Sequence, residues 1–328
     1  MLVVGYYQAI NNTIHRKEVL MNMEKITEKL IKGLGGRVIL AVGLWAVITS
    51  SAFAVEKIGF SVIKTASSAG AQEAMVVSTG SFFKRRHLAQ NVVLISHPEG
   101  DILIDTGLGE NIDEQFEENG FFDQQLFSYT DHNPAIRQLK QADYDLSRLK
   151  RIVPTHLHWD HASGIEDFPN VPLWVQKAEY DEAMAGTAPA FLHSQMDAET
   201  INWQFLELEK SEYEGFEKSL DVYDDGSVVL VDISGHSAGQ VGIFLTISSG
   251  QRYFFIGDTT WTIKGVLDNA ERPAFLSWLV QFNWNDEKNL RQIQAVHDLR
   301  NRRPDITVVP AHDEFVAKGL PKFPEFIF

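Results

Sequence analysis

The chain has 328 residues, a net charge of −15 at neutral pH and no cysteine. Hydrophobic residues make up 44% and charged residues 22%, which is typical of a globular protein with a sizeable core. The lack of cysteine excludes disulfides and thiolate metal ligands, and the acidic balance argues against nucleic acid and anionic membrane surfaces as partners.

The first 54 residues form an N-terminal extension that ends in the pattern of a secretory signal peptide. Four basic residues lie between positions 23 and 37, an uncharged run follows at 38–50, and Ala52-Phe53-Ala54 places small residues where a signal peptidase cleaves. The run is shorter than the roughly 20 residues of a membrane span, although an uncleaved anchor is the alternative. We therefore expect cleavage after Ala54, a domain at residues 55–328 and a periplasmic or secreted protein without a stable membrane partner.

Beyond residue 54 the hydrophobic pattern predicts strands at 58–63, 74–81, 91–96 and 101–105. Helices are predicted at 134–142, 179–184 and 286–303, and residues 191–223 resemble an insertion. In the last helix, Leu290, Ile293, Val296 and Leu299 are spaced to form one apolar face. Seven aromatic residues are candidates for either the core or an apolar pocket: Phe121, Phe122, Phe127, Trp261, Trp278, Phe282 and Trp284.

The segment from Thr155 to His161 concentrates metal-binding side chains. It contains His156, His158, Asp160 and His161 directly after an apolar run, although the whole chain has only 11 histidines. Imidazole nitrogens and carboxylate oxygens are ligands that zinc prefers, and a His-x-His pair in an extended segment directs both rings to one side. Because Asp160 and His161 follow at a turn, this segment could serve two adjacent metal ions.

Three further candidate ligands stand at the ends of apolar runs. His236 follows the run at 227–233, Asp258 follows Phe254-Phe255-Ile256-Gly257, and His312 follows Val308-Val309-Pro310-Ala311. Functional side chains are commonly held on loops by a rigid scaffold, so strand ends are suitable positions for ligands. His297 instead lies beside the apolar stripe of the predicted helix at 286–303, which indicates a surface or packing residue.

The ordered set His156-x-His158-x-Asp160-His161, His236, Asp258 and His312 resembles the metallo-β-lactamase-fold hydrolases. The resemblance extends from about Val62 to about Phe315 and includes the run at 102–107 that contains Asp105. It implies an α/β fold of the four-layer αβ/βα sandwich type.

The same resemblance implies a site for two zinc ions. One ion would take His156, His158 and His236; the other would take Asp160, His161 and His312; Asp258 would bridge them. Asp105 would orient one of these ligands from behind, and Asp160 would also steer or shuttle a proton as the catalytic carboxylate. A hydroxide shared by the two metals would attack an ester-like bond of a small-molecule substrate.

Within the superfamily the chain is most similar to the N-acyl-homoserine lactonase branch, on the His-Leu-His-x-Asp-His segment, the run at 235–240 and Gly257-Asp258. That branch commonly carries a tyrosine three residues after its bridging aspartate, where this chain has Trp261 as a candidate pocket residue. A lactone or ester is the favoured substrate. The alternatives are a β-lactamase, a phosphotriesterase or arylesterase, a thioesterase, and a non-catalytic metal-binding scaffold.

Overall fold

The computed structural model describes residues 57–328, so the predicted signal and the cleavage after Ala54 lie outside the described residues. Its strands are β1 Gly59–Ser68, β2 Ala71–Gln72, β3 Arg85–Arg86, β4 Ala89–Ser96, β5 Asp101–Ile104, β6 Tyr129–Thr130, β7 Leu149–Val153, β8 Pro172–Gln176, β9 Asn202–Leu206, β10 Ser219–Asp221, β11 Val228–Asp232, β12 Val241–Thr246, β13 Arg252–Phe255 and β14 Ile306–Val309.

The α-helices span Glu73–Val76, Ile112–Gln115, Phe121–Leu126, Ala135–Gln141, Trp159–Ala162, Lys177–Ala185, Ile263–Asp268, Ala274–Leu279, Asp286–Arg302 and Glu314–Ala317. Short 3-10 helices occur at Phe116–Glu118, Leu146–Arg148, Ile165–Asp167 and His193–Gln195. Within residues 57–328, no helix combines the length and the hydrophobicity needed to cross a lipid bilayer.

Two large sheets organise the chain. The first has seven strands in the order β6-β1-β4-β5-β7-β8-β9, and the second has five in the order β10-β11-β12-β13-β14. Strands β5, β7, β8 and β9 run parallel, as do β13 and β14. Because parallel neighbours end at the same edge of a sheet, the loops after β5 and β7 lie together, and so do those after β13 and β14.

The sheets pack face to face and are covered by helices on their outer faces. Phe60, Ile102 and Val153 of the first sheet share one buried cluster with Leu230 and Phe255 of the second. A second cluster joins the outer face of the seven-stranded sheet to the helices Ala135–Gln141 and Lys177–Ala185, and a third joins the five-stranded sheet to Asp286–Arg302. This arrangement is the predicted four-layer α/β sandwich, in which each sheet buries both of its faces.

The predicted strand at 74–81 is wrong. Pairing of β2 with β3 stops at Gln72, and Glu73–Val76 is helical instead. The Glu73 side chain accepts a hydrogen bond from the Ser81 backbone N–H at 3.1 Å, which closes residues 73–81 into a compact loop. Local side-chain bonding of this kind competes with strand pairing, and an apolar run alone does not reveal it.

Two further predictions need correction. Residues 191–223 are not simply an insertion, because β9 extends the seven-stranded sheet beside β8 and β10 begins the five-stranded sheet. In the Asp286–Arg302 helix, Leu290 is 47% exposed, whereas Asn289 is fully buried. The Asn289 Nδ2 donates hydrogen bonds to Thr259 O and to Glu271, so an amide held by two acceptors takes the place of the leucine on the buried face.

Candidate metal centre

The loops after four strands bring the predicted ligands together. His156, His158, Asp160 and His161 follow β7, and the last two lie in the short helix Trp159–Ala162. The other three side chains follow strands of the five-stranded sheet: His236 after β11, Asp258 after β13 and His312 after β14. All seven side chains fall into three overlapping groups whose candidate ligand atoms lie within 4.8 Å of one another.

Asp258 occupies the centre of this cluster. Its Oδ1 lies 2.9 Å from His312 Nε2 and 3.4 Å from His161 Nε2, while its Oδ2 lies 3.6 Å from His236 Nε2. The two carboxylate oxygens therefore face different histidines. Gly257 turns the chain into this position with a φ of 49°, and a Cβ there would lie 2.9 Å from the Thr155 side chain. Glycine is the residue that adopts this left-handed conformation without strain.

Hydrogen bonds to the Nδ1 atoms fix the histidine rings. His312 Nδ1–H donates to Ala89 O at 2.8 Å and His161 Nδ1–H donates to Asp105 Oδ2 at 2.9 Å. His236 Nδ1–H donates to Asn283 Oδ1 at 3.0 Å. Because a carbonyl or carboxylate oxygen can only accept, each of these rings turns the Nε2 lone pair towards the cluster.

The inward-facing nitrogens fit a bound cation. Within the described residues, His156 Nε2 and His236 Nε2 are buried without a hydrogen-bond partner. His161 Nε2 and His312 Nε2 lie only 3.2 Å apart. Unpartnered buried nitrogens cost free energy, and two Nε2 atoms this close need a proton or a cation between them, so a metal ion bound by these nitrogens would meet both requirements. Neutral imidazoles and carboxylates without thiolates are the donor set of zinc hydrolase sites.

The electrostatics of the cluster differ between its two ends. Burial, reinforced by neighbouring imidazoles, holds the pKa of His156 well below its usual value, and burial lowers the pKa of His158 to about 3. At the other end, burial opposes protonation of His161, but the carboxylates of Asp105, Asp160 and Asp258 outweigh it and raise the pKa of His161 well above its usual value. His156 and His158 are thus neutral and available as metal ligands, whereas the carboxylates around His161 favour a positive charge at that side of the cluster.

Asp105 lies behind the cluster, at the end of β5, with a φ of 59°. Its Oδ1 accepts hydrogen bonds from the Thr155 backbone N–H at 2.6 Å and the Thr155 hydroxyl at 3.0 Å. Its Oδ2 accepts from His161. One carboxylate therefore fixes both the loop after β7 and the orientation of one imidazole.

Replacing Asp105 by asparagine should weaken zinc binding about 10- to 100-fold, because an amide cannot accept from all three donors. Asparagine tolerates a positive φ, so the backbone strain is unchanged. Competition with a zinc chelator measures the effect, and the exposed Asp181→Asn supplies a matched control. Equal affinity in Asp105→Asn and the parent protein would show that the carboxylate has no part in holding His161.

Three residues that the sequence did not reveal support the site. The buried Glu179 carboxylate accepts from the Leu157 N–H, the Ser237 hydroxyl and the Gly239 N–H at 2.6–2.9 Å. Burial raises the pKa of Glu179, while these donors oppose the rise. Asn283 holds His236, and the buried Arg272 donates to Asp258 O. These contacts join segments 14–60 residues apart, so no local motif signals them.

Trp261 supports Asp258 directly. Its Nε1–H donates to Asp258 Oδ2 at 2.7 Å, and its ring lies 4.5 Å beneath the Arg272 guanidinium. Phe282 meets the ring edge-on at 5.2 Å. The indole N–H is therefore already hydrogen-bonded to a carboxylate. The Trp261 side chain also lines the cavity next to the cluster.

The cavity above the cluster has a volume of about 510 Å³. Its floor includes His158, Asp160, His236, Asp258 and His312. The walls are mainly apolar and include Met75, Val76, Leu126, Phe127, Leu276, Val280 and Phe282. Such a space accommodates a small molecule with a hydrophobic portion.

The aromatic candidates divide between the cavity and the surface. Phe127, Trp261 and Phe282 line the cavity. Phe121, Phe122 and Trp284 are exposed at 72%, 84% and 47%, so they belong to neither the pocket nor the core. The Trp278 side chain lies outside the described part of the structure. His297 packs against the chain through Nδ1 and Val266 O at 2.8 Å, away from the ligand groups.

A two-sheet sandwich with a histidine and aspartate cluster at its strand ends defines a metal-dependent hydrolase. A family model for the metallo-beta-lactamase superfamily matches residues 85–312, and the chain belongs to this superfamily. The predicted family and fold class are thereby confirmed.

Curated relatives include lactonases. The N-acyl homoserine lactonase AttM of Rhizobium radiobacter is 27% identical over 238 residues, which cover 71% of this chain and 85% of the relative. A probable metallo-hydrolase of Mycobacterium tuberculosis is 30% identical over 236 residues, covering 68% and 74%. Among solved structures, an AiiA mutant of B. thuringiensis with N-decanoyl-L-homoserine at its active site matches with a TM-score of 0.64 and 22% identity, covering 82% of this chain and 98% of the other.

Proposed function

We propose that the chain is a dizinc hydrolase that opens lactone rings or cleaves esters bearing an apolar group. The observation that carries this proposal is the seven-residue cluster at the floor of a largely apolar cavity of about 510 Å³. The relationship to an N-acyl homoserine lactonase supports a lactone as the substrate.

The ligand assignment follows the three groups in the structure. His156, His158 and His236 would hold one zinc ion, and Asp160, His161 and His312 the other. Asp258 would contact both ions, since its two oxygens face different histidines. Bound zinc would supply Lewis acidity and would lower the pKa of a nucleophilic water towards neutrality.

Asp160 is placed to handle the proton of this reaction. Its Oδ2 lies 3.4 Å from His312 Nε2, and the residue lines the cavity where a substrate would lie. In lactone hydrolysis, water forms a bond to the carbonyl carbon, the ring C–O bond breaks, and the proton of the water must reach the departing alkoxide. Asp160 would accept that proton and return it to the ring oxygen.

Trp261 would act through Asp258 and the cavity wall rather than as a donor to the substrate carbonyl. Its N–H is held by Asp258 Oδ2, so this chain has an apolar surface at a position where related lactonases commonly carry tyrosine. An indole wall favours substrates with hydrophobic acyl or alkyl portions.

A substrate screen of the zinc-loaded protein tests the proposal. Lactones, including N-acyl homoserine lactones, and apolar esters should be hydrolysed faster than β-lactams, thioesters or phosphotriesters. Metal-stripped protein should lose the activity and regain it with zinc. Turnover of a phosphotriester or thioester without any lactone or ester turnover would replace the proposed substrate class, and metal binding without turnover of any substrate would favour the scaffold alternative.

We also propose that the protein is exported, on the pattern of residues 1–54 alone. N-terminal sequencing of the protein from the periplasmic or culture fraction should begin at Val55. A chain retained in the membrane with residues 38–54 intact would instead identify an anchor.

A further inference from the structure

A hydrogen-bonded loop presents two phenylalanines to solvent. Residues 81–87, here called the basic aromatic loop, include Phe82 at 71% exposure and Phe83 at 101%, which is the exposure of a side chain without neighbours. The backbone of this loop is held, because the Glu73 N–H donates to Lys84 O at 2.8 Å. Phenylalanine is usually buried, and a loop that is already held loses little entropy when a partner covers it. The loop is therefore suited to a contact with another surface.

A short helix shows the same exposure. No residue of Phe121–Leu126 is buried: Phe121 is 72% exposed, Phe122 84% and Leu126 53%. Helices in proteins draw most of their stability from packing of an apolar face rather than from their own hydrogen bonds. The apolar side chains of this helix have no such packing layer among the described residues.

The loop and the helix lie at the edge of the same cavity. Arg85 of the loop and Leu126 of the helix both line the cavity. The Arg85 guanidinium donates to Ala69 O at 3.3 Å, and the Ala69 N–H donates to Ser128 O at 2.9 Å, two residues beyond the helix. Because Ala69 contacts both sides, one partner could cover the loop and the helix at once.

The two surfaces carry opposite charge. The basic aromatic loop has three Lys or Arg residues and no acid, and Lys84 and Arg85 are exposed. Residues 110–126, here called the acidic aromatic segment, have six Asp or Glu residues and no basic one, and Glu114 and Glu117 are exposed. Among the described residues, no ion pair joins the loop to the segment. Both sets of charges are therefore available to a partner.

The exposed apolar area is close to one half of a protein interface. A phenylalanine side chain covers about 200 Å², so the four exposed phenylalanines offer on the order of 600 Å². A standard interface buries about 800 Å² on each partner. Soluble monomers rarely expose more than a few hundred Å² in one apolar patch. The area therefore favours a protein partner over solvent.

The charge pattern selects the occupant. An anionic lipid surface would attract the basic aromatic loop but would repel the acidic aromatic segment and a chain with a net charge of −15. A second copy of the chain provides both complements. A two-fold axis brings the same two surfaces of each copy together, so each loop can meet the segment of the other copy.

We propose that the protein is a symmetric dimer in which the basic aromatic loop of each copy docks on the acidic aromatic segment of the other. The contact would also narrow the entrance of both cavities, since Arg85 and Leu126 line that entrance. The inference does not depend on the substrate class, because its test measures molar mass.

Sedimentation velocity of the zinc-loaded protein across a dilution series should show a dimer. Phe83→Ser and Phe122→Ser should each weaken it at least about 100-fold, because each removes an aromatic contact twice per dimer. Their circular dichroism spectra and zinc content should be unchanged, since both side chains are exposed in the single chain. Leu290→Ser, which alters a 47% exposed side chain on the helix Asp286–Arg302, is the matched control and should keep the dimer.

A charge exchange tests the pairing of the two surfaces. Lys84→Glu or Glu117→Lys alone should weaken the dimer about 10-fold, because each substitution places like charges opposite each other in both halves of the interface. A chain that carries both substitutions should recover most of the affinity, since each loop again faces opposite charge.

Four outcomes would overturn the inference. The first is a monomer at every concentration, and the second is a dimer that both serine variants leave intact. Additive weakening in the doubly substituted chain would contradict the pairing of loop with segment. Another occupant would be identified if a monomer bound phosphatidylglycerol vesicles through Phe83, or if a monomer dimerised only after removal of residues 1–54.

Discussion

Replacing His156 by alanine should remove most of the bound zinc and nearly all hydrolytic activity. His156 is fully buried, its Nε2 has no partner within the described residues, and its Nδ1 contacts the Thr155 hydroxyl at 3.1 Å. Loss of residues that merely support a ligand weakens metal binding about 10- to 100-fold, so loss of a direct ligand should cost at least about 100-fold. Elemental analysis and lactone turnover measure the two effects.

His297→Ala is the matched control for this substitution. His297 bonds Val266 O and Asn301, and it is absent from the ligand groups of residues 57–328. We expect this variant to keep two zinc ions per chain and unchanged turnover. The ligand assignment would be wrong if His156→Ala retained two tightly bound ions, or if both histidine variants lost metal to the same extent.

Replacing Glu179 by alanine should destabilise the metal-free protein by at least about 3 kcal/mol. Three buried donors would lose their acceptor, and each buried unsatisfied donor costs about 1–3 kcal/mol. Close packing prevents easy compensation, because Gly239 approaches Glu179 so closely that a Cβ at Gly239 would lie 2.6 Å from it. Urea unfolding followed by circular dichroism gives the free energy of unfolding.

Asp181→Ala provides the comparison on the same helix, since Asp181 is an exposed carboxylate paired with Lys177. Its loss should change stability by less than about 0.5 kcal/mol. The free energy of unfolding of Glu179→Gln should lie between those of Glu179→Ala and Asp181→Ala. Glutamine keeps one acceptor oxygen, but its amide N–H faces one of the donors. Glu179→Ala with stability equal to that of Asp181→Ala would refute the role of Glu179.

The metal centre was largely predictable because its ligands are local in sequence or stand at strand ends. His156, His158 and His161 form one motif, and His236 and His312 follow runs of apolar residues. The spatial meeting of these elements follows from the fold that the motif implies. The ligand roles remain predictions that metal analysis must test.

The supporting residues were not predictable, for a physical reason. Glu179, Arg272 and Asn283 act through contacts between segments distant in sequence, and a lone glutamate in a helical pattern is ordinarily a surface residue. The prediction of a strand at 74–81 was wrong because the Glu73 carboxylate accepts a hydrogen bond from the Ser81 N–H of the same loop. The prediction that Leu290 lies on the buried face of its helix was wrong, because Asn289 occupies that face instead. The Asn289 amide is held there by a hydrogen bond to Thr259 O, which lies 30 residues away in sequence.

Because the cluster is divided between the two sheets, a metal ion bound there would report on the separation of the sheets. His156 and Asp160 come from a loop of the seven-stranded sheet, whereas His236 and His312 come from loops of the five-stranded sheet. Neither sheet alone carries all the ligands of one ion, so an ion bound by residues of both sheets would hold the two sheets together. A ligand that binds only the native state adds about 4 kcal/mol of stability at a thousandfold excess over Kd. The rate of zinc release to a chelator should therefore report how often the two sheets part, even while each sheet keeps its strands.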